Sequence, residues 1–257
     1  MTRSQLLLER LDEIGRSLEQ TGLALALIGL GSVGVERERL DDFSDLDFFA
    51  IVQPGYKRRF IENLDWLESI YPVAYRFQNT DDGYKLLYSD GVFCEFAVFE
   101  PAELARIPYA PGLVVWSVPG VDASIGTPVL PIQPAAARSV EWLVGEALTN
   151  LYVGMCRFRR GEKLSAERFV QHYSVDRVID LIVQAEPEPS GLRDPFNIER
   201  RLEARYPGTA QVLASFVQGY DRTPQSALAI LSFLEARFAV NAPMAAAVRR
   251  LCESGPE

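Results

Sequence analysis

Residues 28–52 read IGLGSVGVERERLDDFSDLDFFAIV, and they constrain the fold more than any other stretch. Just upstream, Leu23–Ile28 (LALALI) is an unbroken apolar run bounded by glycines, the pattern of a buried strand. Gly29, Gly31 and Gly34 make the turn that follows, with Ser32 beside Gly31. After a polar segment, Asp47–Val52 (DFFAIV) reads as a second buried strand, entered through Asp45-Leu46-Asp47. Side chains alternate along a strand, so Asp45 and Asp47 point to the same side. Two carboxylates so placed repel each other unless a cation lies between them. Hard oxygen donors suit Mg²⁺, which keeps several waters and accepts phosphate oxygens as further ligands. Gly31-Ser32 ahead of a helical turn offers backbone N–H groups and a hydroxyl, which suits an anion such as a triphosphate. Gly-Ser after a strand is commonly a turn with a cap, and Asp-x-Asp occurs freely in loops. The order strand, Gly-Ser, polar segment, Ser-Asp-x-Asp, apolar strand is much more specific than either part.

The rest of the chain alternates and then turns helical. Leu6, Leu7, Leu11, Ile14 and Leu18 recur at helical spacing over residues 3–20. The pattern predicts a helix over Tyr56–Ile70 and strands over Val73–Phe77, Tyr84–Tyr88, Val92–Phe99 and Leu113–Val118, with turns at Asp81-Asp82-Gly83 and Asp90-Gly91. Pro119–Pro134 is rich in proline and has little periodicity. Beyond it Val140, Leu143, Val144, Ala147, Leu148, Leu151 and Met155 hold a helical rhythm, and a second helix covers about 166–185. EPEPSGLRDP (186–195) reads as a loop, followed by helices near 195–206, 208–219, 224–239 and 242–253. The expected layout is an α/β (α+β) domain with a mixed sheet over 1–118, a linker over 119–134 and an all-α domain over 135–257.

Composition removes several function classes. A formal charge of −9 argues against a basic nucleic-acid-binding surface. The acidic excess falls almost entirely within residues 1–118, which directs attention to the carboxylates there. Cys94, Cys156 and Cys252 lie far apart, so they read as thiols of a reducing compartment and not as a metal knuckle. One histidine, His172, excludes a His-rich metal site, and it reads as structural. No signal-peptide core and no membrane-length apolar run is present, so a cytoplasmic location without membrane association is expected.

A third acid stands in VFCEFAVF, where Glu95 interrupts an otherwise apolar strand. A charge buried without a partner costs several kcal/mol. A solvent-facing Glu95 requires Phe93 and Ala97 to be exposed with it, so Glu95 is expected to join the other two acids as metal ligand, general base or both. The combined pattern resembles the nucleotidyltransferase (polymerase-beta-like) superfamily. The Gly-Ser and SDLDFFAIV motifs, YKLLYSDGVFCEFAVFEPAEL, the Pro-rich linker and the helical second half are similar to antibiotic nucleotidyltransferases of the lincosamide group, with the aminoglycoside enzymes as cousins. The resemblance implies Mg²⁺-dependent transfer of a nucleoside monophosphate, AMP from ATP in the first instance, to a hydroxyl of a small molecule. It places Asp45, Asp47 and Glu95 at a two-metal site and Gly31 and Ser32 on the phosphates. The basic residue that usually follows Gly-Ser soon after is here displaced to Arg37 or Arg39, and Arg39 is assigned to the phosphates.

In the helical half Arg157, Arg159, Arg160, Lys163 and Arg168 form the densest basic cluster, from which Arg160 and Lys163 are expected to reach the nucleotide. Trp116 is a candidate to stack on a base or acceptor. The expected partners are a nucleoside triphosphate and a small hydroxylated acceptor, with the protein a monomer or homodimer. Two alternatives compete. A haloacid-dehalogenase-type phosphatase also carries Asp-x-Asp, but at the end of a strand and followed by Thr or Val, where Phe48 stands here and the strand runs on. A non-catalytic, antitoxin-like nucleotide-binding protein would keep the fold without turnover, and its mark would be a missing acid.

Overall fold

In the computed structural model, residues 1–130, 137–187, 194 and 197–253 are described. The chain forms two compact units, Met1–Gln133 and Pro134–Glu257. The first contains a mixed six-stranded sheet and the second is helical, the architecture expected from the sequence.

Helix α1 (Arg3–Thr21) opens with a capping box between Thr2 and Gln5 and closes on Gly22 in the left-handed region. Strands β1 (Ala24–Gly29) and β2 (Leu46–Val52) pair antiparallel through the Gly31 turn. The helix expected over Tyr56–Ile70 is two short ones, α2 (Lys57–Glu62) and α3 (Asp65–Glu68). Asn63 is extended between them, and Arg59 reaches forward to the Asp65 carboxylate at 2.7 and 2.9 Å. The break lets Phe60, Leu64, Trp66 and Leu67 all enter the core, which outweighs a few lost helical bonds.

Strands β3 (Val73–Thr80), β4 (Gly83–Tyr88) and β5 (Phe93–Phe99) form a meander, followed by α4 (Pro101–Leu104) and β6 (Leu113–Ser117). The spatial order is β3-β4-β5-β2-β1-β6, and β2 with β5 is the parallel pair. One face of the sheet (Leu46, Phe48, Ala50, Leu86, Cys94, Phe96, Val98) packs on Leu7, Leu11, Ile14 and Leu18 of α1 and on Phe60 and Trp66. Trp116 joins that side, partly buried, its Cβ lying 3.1 Å from where a Cβ on Gly15 would be, so it packs under α1. The opposite face is covered at one end by Ile28, Ile51, Phe99, Leu104 and Tyr109, with Val121 and Ile125 against them. Residues 121–126 thus pack on the first unit, and Gly112 donates to the Gly126 carbonyl at 2.8 Å.

In the second unit α5 (Val140–Arg159), capped by Ser139, is the central helix. Helix α6 (Lys163–Glu167) passes through a π-helical turn, Arg168–Tyr173, into α7 (Ser174–Ala185). Gly154 permits α5 to lie against that turn, since a Cβ there would fall 2.7 Å from Val170 Cγ2. The π turn points Gln171 inward, where it bonds both the N–H and the carbonyl of Gly219 at 2.8 Å. Of the helix expected over 195–206 only the last turn forms, α8 (Leu202–Arg205), and residues 195–196 lie outside the described set. Most of the expected loop over 186–195 also lies outside it. Helices α9 (Pro207–Phe216), α10 (Thr223–Arg237) and α11 (Ala242–Glu253) complete a core of Leu148, Leu151, Val178, Ile182, Ile230, Leu234 and Val248.

Candidate functional site

Three carboxylates lie along the parallel pair, on the less covered face of the sheet. Asp47 on β2 stands directly opposite Glu95 on β5 in the register, and Asp45 immediately precedes β2 on the same side. Leu46 and Phe48 alternate with them into the core, which holds the acids to this face: slipping the strand by one residue would bury charge and expose Phe48.

The turn that follows β1 is held against Asp47. Leu30 donates its N–H to the Asp47 carbonyl at 2.8 Å, and the Gly31 carbonyl accepts from Gly34 and Glu36, each at 3.1 Å. Gly31 takes a left-handed conformation with φ of +50°, and a Cβ on it would lie 4.0 Å from Asp47 Oδ2. Gly34 is needed for another reason: a Cβ there would meet the Gly29 carbonyl oxygen at 2.3 Å. The first helical turn, Gly31–Val33, therefore sits tight on the end of β1 and carries a half-buried Ser32. Arg39, on the short helical turn Arg37–Arg39, is tied to the Glu36 carboxylate, whereas Arg37 is exposed.

Glu95 departs from the expectation of a buried acid. Its side chain is 44% exposed, and Phe93 and Ala97 are half-exposed with it. It is also partnered: Lys85 on β4, opposite in register, approaches to 3.2 Å, and Asn79 Nδ2 donates at 3.4 Å. The premise of an orphaned buried charge thus fails, because among the described residues nothing covers this part of the face on β5 and Glu95 stands open to water. Among the described residues no group of three or more His, Cys, Asp or Glu side chains is gathered closely enough to hold a metal ion. The ion pair with Lys85 is a weak restraint, since pairs this exposed are worth about 0–1 kcal/mol. What the strands do present is two carboxylates opposite each other in register, Asp47 and Glu95, the oxygen donor type that Mg²⁺ takes.

The field of the acids reaches Cys94, whose side chain enters the core from the other face of β5. Burial pushes its thiol well above the ordinary range, Arg10 opposes this, and Asp45 and Asp47 add to it.

The basic residues of the second unit are engaged locally. Arg160 pairs with Glu162 at 2.9 Å and Lys163 with Asp221 at 3.1 Å. Arg157 bonds the Ser165 hydroxyl and covers the Phe169 ring, while Arg159 donates to the Leu251 carbonyl. His172 is exposed and faces Glu167 at 3.1 Å. Lys85 and Asn79 are the residues that sequence reasoning missed. Only the pairing of β3 and β4 with β5 brings them to Glu95, and no local spacing announces that register.

No protein-family model matches the chain, and no curated protein matches it in sequence. Among solved structures, an aminoglycoside 6-adenyltransferase from Bacillus subtilis is similar at 13% identity and a TM-score of 0.32, over 95% of this chain and 91% of that one. A superposition at that level assigns no residue a role. No helix among the described residues is long and apolar enough to cross a membrane.

Proposed function

We propose that this protein is a cytoplasmic nucleotidyltransferase that moves AMP from ATP, or the equivalent group from another nucleoside triphosphate, to a hydroxyl of a small antibiotic-like molecule. The observation that carries the reading is the direct opposition of Asp47 and Glu95 across a parallel strand pair, with Asp45 beside them and the Gly31 turn packed on Asp47. The order of these elements in the sequence supports the same reading independently.

In this reading Asp45 and Asp47 hold Mg²⁺, with Glu95 as third ligand, base or both. Bound there, the metal supplies neutralisation of phosphate charge. The chain's own residues do the rest. Gly31 and Ser32 bind the triphosphate through backbone N–H groups and the hydroxyl, with Arg39 near the turn as counter-charge. Glu95 takes the proton from the acceptor hydroxyl. The acceptor oxygen then forms its bond to the α-phosphorus as the bond to the β-phosphate oxygen breaks, and pyrophosphate leaves with that electron pair. Arg160 and Lys163, expected from the sequence to reach the nucleotide, pair within their own unit with Glu162 and Asp221, exposed contacts of little strength.

The test mixes protein, Mg·ATP and a panel of lincosamides and aminoglycosides, reading pyrophosphate and product mass. Glu95→Gln and Asp47→Asn should each abolish turnover. Full activity in Glu95→Gln, or no pyrophosphate with any acceptor, counts against the reading. The Lys85–Glu95 pair favours the second reading, a nucleotide-binding partner protein without turnover. Calorimetric binding of ATP with no product by mass spectrometry would select it.

A further inference from the structure

The row containing Asp47 and Glu95 continues past β5. Glu95 faces Lys85 on β4, and Lys85 faces Phe77 on β3, so Phe77, Lys85, Glu95 and Asp47 lie side by side on one face of four strands. The adjoining row is Tyr75, Leu87 and Phe93. Tyr75 and Phe77 are 54% and 52% exposed, while Leu87 and Phe93 are half-buried. The reverse face of β4 and β5 packs on the core, whereas β3 is exposed on both of its faces. Arg76 pairs with Glu68 at 2.5 Å, and the Tyr84 hydroxyl donates to the Ile61 carbonyl at 3.0 Å.

The result is an aromatic apron on β3 that reaches the candidate acids across Lys85 in one row and across Leu87 and Phe93 in the next. Adjacent strands lie about 4.8 Å apart, so Phe77 on β3 is roughly 10 Å from Glu95 on β5. That is the span of a molecule of one or two rings. A protein partner would need about 800 Å² from this side, whereas two half-exposed rings and their neighbours offer at most a few hundred. Aromatic faces give an apolar ring surface somewhere to pack, and the Lys85 ammonium and Asn79 amide beside them donate to ring or hydroxyl oxygens.

We infer that Tyr75 and Phe77 form the acceptor subsite, taking a hydroxylated ring compound of the glycoside kind with its apolar ring face on the two aromatics and a hydroxyl directed to Glu95. This rests on the transfer reading above. The occupant is held by stacking at β3 and by polar contacts at β4, and its reactive oxygen is delivered at β5. The subsite thereby sets which acceptors are used, while Asp45 and Asp47 are indifferent to acceptor identity.

The experiment compares the full chain with a Tyr75→Thr/Phe77→Thr double variant, which keeps strand propensity, and with Tyr75→Phe/Phe77→Tyr, which keeps both rings. Lincomycin and kanamycin A are the probes, with Kd read by calorimetry and turnover by pyrophosphate release; Mg·ATP affinity and the urea midpoint serve as controls. The expected result is a rise in probe Kd and KM of about tenfold or more in the double threonine variant. Mg·ATP affinity and the urea midpoint should hold, and the ring-keeping variant should bind as the parent does. Unchanged probe binding in a folded double threonine variant overturns the subsite, as does a parent chain that binds neither probe. Should sedimentation show instead that the parent self-associates and the double variant does not, with probe affinity equal in both, the apron is a contact between copies and the inference is wrong. Probe binding that depends on the two rings without any pyrophosphate from the parent would leave the subsite standing and remove the transfer reading.

Discussion

Replacing Gly34 by Ala tests whether the turn after β1 is held where the proposed chemistry needs it. The new Cβ would lie 2.3 Å from the Gly29 oxygen, 2.8 Å from the Gly29 carbon and 2.9 Å from Leu30 Cα, all of them backbone atoms that cannot swing aside. Relief requires the turn to back off by about 1 Å, and overpacking of this kind costs about 1–3 kcal/mol. The displacement passes to Gly31, because Gly34 and Glu36 both bond its carbonyl, and so to its contact with Asp47. A misplacement of about 1 Å at a reacting centre lowers turnover by about a hundredfold. The assay pairs urea melts with pyrophosphate release and Mg·ATP affinity. Gly22→Ala is the reference, since Gly22 also has a constrained backbone, φ +65°, but nothing within 4 Å of a Cβ. It should lose about 1–2 kcal/mol with turnover unchanged in the folded fraction. If Gly34→Ala retains full turnover, or if both variants lose activity only in proportion to stability, the turn does not position the nucleotide.

Further outcomes follow from other contacts. Arg10 is 3% exposed, bonds Glu13 and Asp90 at 2.8 Å each and lies over the Tyr71 and Tyr88 rings, so Asp90→Asn should destabilise by about 2–4 kcal/mol in a denaturant melt. Gly154→Ala should cost about 1–3 kcal/mol in a denaturant melt, because its Cβ meets Val170 on the π turn of the second unit. Burial raises the Asp180 carboxyl above its ordinary range despite Arg177 at 3.2 Å. The folded state then holds that proton more tightly than the unfolded chain, so this group's contribution is full at acid pH and is lost as pH rises through the folded value. Asp180→Asn should therefore fare better against the parent at pH 7 than at pH 3, and melts with the reverse slope would refute the assignment. Lys85→Met should cost no more than about 1 kcal/mol in a denaturant melt, because the pair it breaks with Glu95 is half-exposed and such pairs are worth about 0–1 kcal/mol.

Much of the first unit was legible because alternation and glycine placement are local signals. Asp45 and Asp47 could be put on one side of a strand from spacing alone, and the β1 and β2 boundaries lie within a residue of expectation. What could not be read was register. Nothing within VFCEFAVF says that Glu95 faces Asp47 on one side and Lys85 on the other. Without the neighbouring strands its surroundings looked apolar, which is why it was expected to be buried. The break at Asn63 escaped for a related reason: Phe60, Trp66 and Leu67 keep a helical rhythm across it, and tertiary packing overrides propensity. In Arg157–Arg168 the cations Arg160, Lys163 and Arg157 meet Glu162, Asp221 and Ser165, and the Asp221 contact in particular is not announced by charge density along the chain.

The parallel pairing of β2 with β5 has a kinetic consequence. Asp47 and Glu95 meet only after the chain from Gln53 to Val92, carrying α2, α3, β3 and β4, has folded back across the sheet. The loop-closure entropy of that excursion must be met before the pair yields any contact energy. Antiparallel β1–β2 and the β3–β4–β5 meander, built from near neighbours in the chain, can form earlier. The carboxylate pair is thus a late reporter of folding, and a single nick in the excursion at Asp81-Asp82 would separate its two members onto different fragments.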